Sequence, residues 1–198
     1  MRKRIKRGFR ISKHIIYKET LIDYKEHFWS FAGAFVGIGL IAIIQSKMLT
    51  KVENIFLIGS FGASSVLIYG IIQSPFAQPR NLIGGHLVSG IIGVTVCKLM
   101  PDVIWLTAPL AVALSIVLMQ ITKTLHPPGG ATALIAVIGS ERVKLLGYGY
   151  VLSPVLTGSL ILFAVALIFN NITPHRTYPN GSRSVKMVKN LLVINFVL

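Results

Sequence analysis

The residues best suited to chemistry in this chain are His126-Pro127-Pro128-Gly129-Gly130-Ala131-Thr132. Proline suits the first turn of a helix, where its missing N–H would go unpaired anyway, and each proline pushes the residue before it into extended backbone. Gly129 and Gly130 keep side chains away from the main-chain N–H groups, while Thr132 adds a hydroxyl and His126 a ring N–H. A helix starting inside a membrane aims partial positive charge into the protein, and transporters use such ends to hold small anions. Gly62-Ala63-Ser64-Ser65 offers the same chemistry earlier in the chain. The expected binding residues are therefore Gly62, Ser64, Ser65, His126, Gly129, Gly130 and Thr132. The rival use of these small residues is simply to let helices approach closely.

His126 can serve as an anion donor or a proton carrier, its ordinary pKa being near 6.5, or it can make a structural bond that holds the broken loop. His86 lies on the small-residue face of its apolar stretch and can meet the same cavity, since ionisable groups within a span are functional candidates by default. Arg80 and Asn81 stand just before that stretch. Arg80 can snorkel to lipid headgroups, lure an anion, or brace a helix end. Asp and Glu are absent from every apolar stretch, which favours an anion or neutral solute over a cation; no metal or cofactor is expected. Ser64 and His126 can be brought together, but no third group to orient the base is evident, so no enzyme is expected. The single cysteine, Cys97, excludes a disulfide within the chain.

These residues sit in a chain of 198 residues that is 53% hydrophobic and 13% charged, against about 25% charged in soluble domains. Its mean hydropathy is +0.70, so it is expected to be a membrane protein. The net charge of +14 is concentrated rather than spread: nine of twenty Lys and Arg residues precede Phe28 and four follow Asn171. That pattern fits cytoplasmic flanks of a plasma (inner) membrane protein that touch anionic lipid, rather than nucleic-acid binding. Residues 1–27 then form a basic interfacial segment, residues 28–171 the membrane domain and residues 172–198 a basic cytoplasmic tail. The opening run from Arg2 to Arg7 is too charged for a cleaved signal peptide.

Apolar periodicity predicts spans near residues 28–45, 82–100, 103–122 and 146–169. The first carries Gly33 and Gly37, and the second carries Gly85, Ser89 and Gly93 on one face, a small-residue pattern that admits close neighbours and suits a homo-oligomer as well. Two stretches are irregular. In residues 55–73 the glycines and serines fill the first half, and ordinary helix is expected only from Val66. Residues 128–139 make about 18 Å of helix against a hydrocarbon core of about 30 Å, too short to cross alone.

Gly62-Ala63-Ser64-Ser65-Val66-Leu67 matches Gly130-Ala131-Thr132-Ala133-Leu134-Ile135, and Ser89-Gly90 falls on Thr157-Gly158 at the same offset. The expected fold is an all-α polytopic membrane protein of two internal repeats, each with two full transmembrane helices and one broken helix. Duplicated halves with interruptions at corresponding places point to a transport site. If the broken segments cross, the repeats are inverted; if they dip in and return, the repeats are parallel. The inverted form is favoured, and both forms leave the two termini on one side.

The HPP motif, together with Ser74-Pro75-Phe76-Ala77-Gln78-Pro79-Arg80-Asn81-Leu82-Ile83-Gly84-Gly85-His86 and Ser60-Phe61-Gly62-Ala63-Ser64-Ser65, resembles the HPP family of integral membrane proteins over roughly residues 24–171. The resemblance implies four transmembrane segments and, through plastid and cyanobacterial members, an association with nitrite. Nitrite, implied by that resemblance alone, fits the small anion that the residues themselves ask for. At about 1.5 kcal/mol per heavy atom, a three-atom ligand gains about 4.5 kcal/mol, a dissociation constant on the order of a millimolar. The alternatives are a membrane sensor or assembly module that binds an anion or lipid and signals to a partner, and a channel for neutral solutes.

Overall fold

The structure, a computed structural model, describes residues 24–47, 59–173 and 175–181. Residues 1–23 of the expected interfacial segment and residues 182–198 of the expected tail lie outside the described residues. Helix α1 is Tyr24–Gln45. Helix α2 is described from residue 59 and ends in a π-helical turn, Val66–Gly70. A 3-10 turn at Pro75–Ala77 leads into α3, Pro79–Leu99. Helix α4 is Ile104–Ile121, α5 is Pro127–Ile138 and α6 is the short Glu141–Leu145. Helix α7 runs over Val151–Phe169, its first turns π-helical and broken at Ser153, which is extended.

The described residues are all-helical, and α1, α3, α4 and α7 are each long and apolar enough to cross a membrane. Helices dominate because every backbone polar group must be paired where no water is present. Large apolar side chains such as Phe31, Phe35, Trp105 and Ile121 point outward, as lipid solvation allows. Small and polar residues point inward instead. Inside, Gly93 lies so close to α5 that a Cβ there would stand 2.5 Å from the Ala133 carbonyl oxygen, and one on Gly129 would stand 2.7 Å from Ser89 Oγ. The stripe of Gly85, Ser89 and Gly93 is thus the seam between α3 and α5. Gly33 and Gly37 serve differently: they seat the Tyr69 ring, whose hydroxyl donates to the Leu162 carbonyl at 3.1 Å.

Contacts at the helix ends give the direction of each element. At one end, the basic end, Asn81 donates to Leu125, Arg176 pairs with Glu26, and Asn180 donates to Gln73. At the far end, Lys144 pairs with Asp102 and Thr95 bonds Tyr148. Helix α2 therefore runs toward the basic end, and α5 starts there and runs away from it. The two short helices are antiparallel, and each joins elements at opposite ends of the bundle.

One expectation is reversed. Residues 59–65 are regular α-helix, and the irregularity falls at Val66–Gly70. Glycine and serine have low helix propensity in water, but unpaired backbone is costlier still in lipid, so tight packing overrides propensity.

Candidate functional site

The site is assembled where α2 passes alongside the first turn of α5, with α3 behind both. Pro127 holds His126 in extended backbone (φ −139°, ψ 104°), and the His126 side chain caps nothing on its own helix. The ring is thereby free to turn inward, and only glycine at 85 leaves room: a Cβ there would collide with that of His126. Ahead of it, α4 closes with Lys123 left-handed at φ 56°. Thr124 N–H returns to the Met119 carbonyl and Lys123 N–H to that of Gln120, at 2.8 and 3.1 Å, a Schellman ending without its usual glycine. Arg80 donates to the Thr122 carbonyl at 2.8 Å and Asn81 to that of Leu125 at 2.7 Å. Arg80 is thus a brace for a helix end.

Behind that collar lie Ser60, Ser64, His86, His126 and Thr132, all buried. Ser64 Oγ stands 2.8 Å from His86 Nε2 and 2.9 Å from His126 Nε2. His86 Nδ1 is 2.8 Å from Thr132 Oγ1, which is 2.9 Å from Ser60 Oγ. Carbonyls close both ends of the chain: His126 Nδ1 donates to Phe76 at 2.9 Å, and Ser60 donates to Pro128 at 3.0 Å. Because the Phe76 oxygen can only accept, His126 carries a proton on Nδ1. The rings of His86 and His126 are 5.0 Å apart, and Phe61 covers His86 at 5.2 Å. Tyr150 holds the Thr132 carbonyl at 2.9 Å.

Four of the residues singled out by sequence, Ser64, His86, His126 and Thr132, meet here. Ser65 is buried one position on, its hydroxyl unpartnered. Gly62 is half-buried with open space where a Cβ would project, and Gly130 is half-buried facing Val112. Gly129 packs on α3 and α4, and its N–H is used on the His126 carbonyl at 2.8 Å. With two prolines before it, the first turn of α5 has no free donor up to Gly129. The orienting group that sequence did not supply for a Ser64–His126 pair is a main-chain carbonyl, that of Phe76. It fixes the ring but brings no full charge to stabilise an imidazolium. Among the described residues, no three His, Cys, Asp or Glu side chains come together as a metal site.

Sequence reasoning missed Ser60, Tyr150 and Arg176. Ser60 had two signals: it lies one turn before Ser64, and the repeat offset of 68 maps it onto Pro128, the residue it touches. Arg176 was hidden in a stretch read as tail. Its guanidinium is buried and binds the Tyr69 carbonyl at 2.6 Å, Asn170 Oδ1 at 2.8 Å and Glu26 Oε2 at 3.0 Å. Burial pulls its pKa below the ordinary value and Glu26 opposes that pull. Asn170 in turn donates to the Ile68 carbonyl at 2.7 Å, so the last carbonyls of α2 are capped by residues more than a hundred positions away. Tyr178 anchors the same stretch by donating to Ala77 at 2.7 Å.

Two transmembrane proteins of Dictyostelium discoideum are each 44% identical to this chain over 160 residues, covering 79% of it and 51% and 56% of their own lengths. The chain thus spans about half the length of the curated relatives it matches. No solved structure matches it. The family description "HPP, transmembrane region" matches residues 19–179, a range that takes in every residue of the buried cluster and Arg176 as well. With the long apolar helices and the relatives' likeness, this makes the chain a transmembrane protein of the HPP family.

Proposed function

We propose that this protein carries a small monovalent anion, nitrite foremost, across the membrane, and that the anion is held where the two short helices pass each other. The observation that carries this reading is the buried row of Ser60, Ser64, His86, His126 and Thr132. Polar groups cost free energy inside an apolar bundle unless they are paired, and these pair only among themselves and with two carbonyls. Helices α2 and α5, being antiparallel, bring their polar turns to one place from opposite sides, the geometry of inverted repeats around a central site. The end at which Tyr24 and Arg176 lie is the one that the lysine- and arginine-rich flanks of the sequence adjoin, and under the positive-inside rule it faces the cytoplasm of the plasma membrane.

Purified protein in liposomes should raise the uptake of nitrite, and of nitrate or formate to a lesser degree, above that of protein-free vesicles. No flux for any of the three would end the anion reading. One observation favours a second reading, a channel for water or neutral solutes: the first turn of α5 lacks free N–H donors, and the neutral cluster contains only hydroxyls and imidazoles. Osmotic shrinkage of the same vesicles, without anion flux, would select it.

A further inference from the structure

Counting hydrogens along the buried row gives a result that no single pair of residues reveals. Between the Phe76 and Pro128 carbonyls there are six hydrogen-bond links: Phe76 to His126, His126 to Ser64, Ser64 to His86, His86 to Thr132, Thr132 to Ser60, and Ser60 to Pro128. Each imidazole in its neutral form brings one N–H and each hydroxyl one O–H. Two histidines and three hydroxyls therefore bring five protons to these six links. The neutral row is one proton short.

A sixth proton fills the row with no bond reversed against a carbonyl. Ser60 then donates to Pro128, Thr132 to Ser60 and His86 Nδ1 to Thr132, while His126 Nδ1 keeps its bond to Phe76. The remaining two links share Ser64. If Ser64 donates to His126, His86 is the cation; if Ser64 turns to donate to His86, His126 is the cation. Passing the His86 Nε2 proton to Ser64 Oγ while the Ser64 proton passes to His126 Nε2 moves the charge from ring to ring, and leaves the Ser64 hydroxyl pointing at His86. A seventh proton has only the Ser60 carbonyl to send the Ser64 hydroxyl to, at 3.2 Å, and it would put two like charges in rings 5.0 Å apart.

Among the described residues, the surroundings supply no other charge. Helix α2 brings Phe61, α3 Gly85 and Ser89, α4 Met119, and the residue just before α7 the Tyr150 hydroxyl on the Thr132 carbonyl. Tyr178 binds Ala77, next to Phe76. Among the described residues, Glu26 is paired with Arg176 at the basic end, and Asp102 and Glu141 with Lys144 at the far end. Arg80 is held at Thr122. An anion entering this row finds no fixed cation among the described residues, so a proton is the positive charge that can meet it.

We propose that the row holds one exchangeable proton, shared by His86 and His126 through Ser64, and that this proton crosses with the anion in an electroneutral one-to-one step. The second half rests on the anion-transport reading; the first does not. Nitrogen-15 NMR of histidine-labelled full-length protein, without anion, tests the first half, with His86→Gln and His126→Gln to assign signals. Both rings should respond together to a single protonation step as the pH is lowered. Ser64→Ala should split it into two separate responses. Two independent steps in the unaltered protein, or none, would overturn the shared site.

The second half is read in liposomes as initial nitrite uptake above protein-free vesicles. A one-unit inward proton gradient should support about tenfold nitrite accumulation, since each pH unit is a factor of ten in proton activity, and the accumulation should ignore the membrane potential. Uptake that follows the potential and ignores the proton gradient overturns the coupling. If the rings share a proton but no anion moves, the proton site stands and the anion reading falls.

Discussion

The two short helices, α2 and α5, occupy equivalent places in the chain yet are held in different ways. Ser64 on α2 and Thr132 on α5 are related by the repeat offset, and both touch the same ring, His86, one at each nitrogen. The histidines break the correspondence: the offset carries His86 onto Pro154, and His126 back onto Ile58. The offset pairs two hydroxyls, and the ionisable groups fall outside that register. The ends differ as well. Helix α5 closes locally, with Gly139 N–H on the Ile135 carbonyl at 2.9 Å, whereas α2 closes on Asn170 and Arg176 from the far end of the sequence. One helix is a local structure. The other depends on the whole fold.

The largest expected effect tests whether the helices really run in opposite directions. With Cys97 replaced, cysteines at Asp102 and Glu141 should react with a membrane-impermeant reagent from one side of the membrane only, and cysteines at Lys123 and Asn180 from the other only. Reaction of the Lys123 and Glu141 positions from one side, with those at Asp102 and Asn180 on the other, would make α5 a re-entrant hairpin and end the antiparallel arrangement. The next effect separates the two closures. Arg176→Gln removes charge-assisted bonds to the Tyr69 carbonyl and Asn170, each worth about 1.5–3 kcal/mol, and should lower stability by roughly 3 kcal/mol, read as a fall in detergent melting temperature. Gly139→Ala puts its Cβ 2.6 Å from the Ile135 carbonyl oxygen and 3.0 Å from Val143, and should cost about 1–3 kcal/mol. If the glycine change costs more than the arginine change, the local-versus-global contrast is wrong.

Most of the helices were legible in the sequence because apolar length reports directly on membrane spans, and the HPP motif carries its own breaks. Pro127 forces His126 out of helical backbone, so the start of α5 could be read to within a residue. What escaped reading was decided by partners. The Gly59–Ser65 stretch is helical because lipid forbids unpaired backbone, a fact no propensity scale for water contains. Gly129 was expected to expose its N–H, but that donor is spent on His126 and the missing side chain makes room for α3 and α4. Arg176 looked like one more positive charge in a basic tail, since nothing in its neighbourhood signals that Glu26, Tyr69 and Asn170 converge on it. Sequence spacing predicts faces well. It does not predict which carbonyls are left over at a helix end.

Three graded glycine changes ask whether the repeat extends to packing. Gly93→Ala should be costly, with its Cβ forced to 2.5 Å from the Ala133 carbonyl oxygen; overpacking of this kind costs about 1–3 kcal/mol. Gly62→Ala and Gly130→Ala meet open space or Val112 at 3.8 Å, and should leave stability unchanged or raise it by up to about 1 kcal/mol, the helix propensity gain. A large loss from Gly62→Ala would mean that α2 is packed as tightly there as α5 is at Gly129.

The finest distinction lies between neighbours. Ser64 and Ser65 are both buried, but Ser64 joins two imidazoles while the Ser65 hydroxyl has no partner. Leaving a buried donor or acceptor unsatisfied costs about 1–3 kcal/mol, so Ser64→Ala should lose that amount by stranding a ring nitrogen. Ser65→Ala removes an unsatisfied group and should be neutral or slightly stabilising, with uptake unchanged. The corresponding position on α5 is already alanine, Ala133, so this variant makes the two halves more alike. Loss of uptake in Ser65→Ala with stability intact would give that hydroxyl a ligand. The binding residues would then extend across a second face of α2, and the row between Phe76 and Pro128 would be only part of the site.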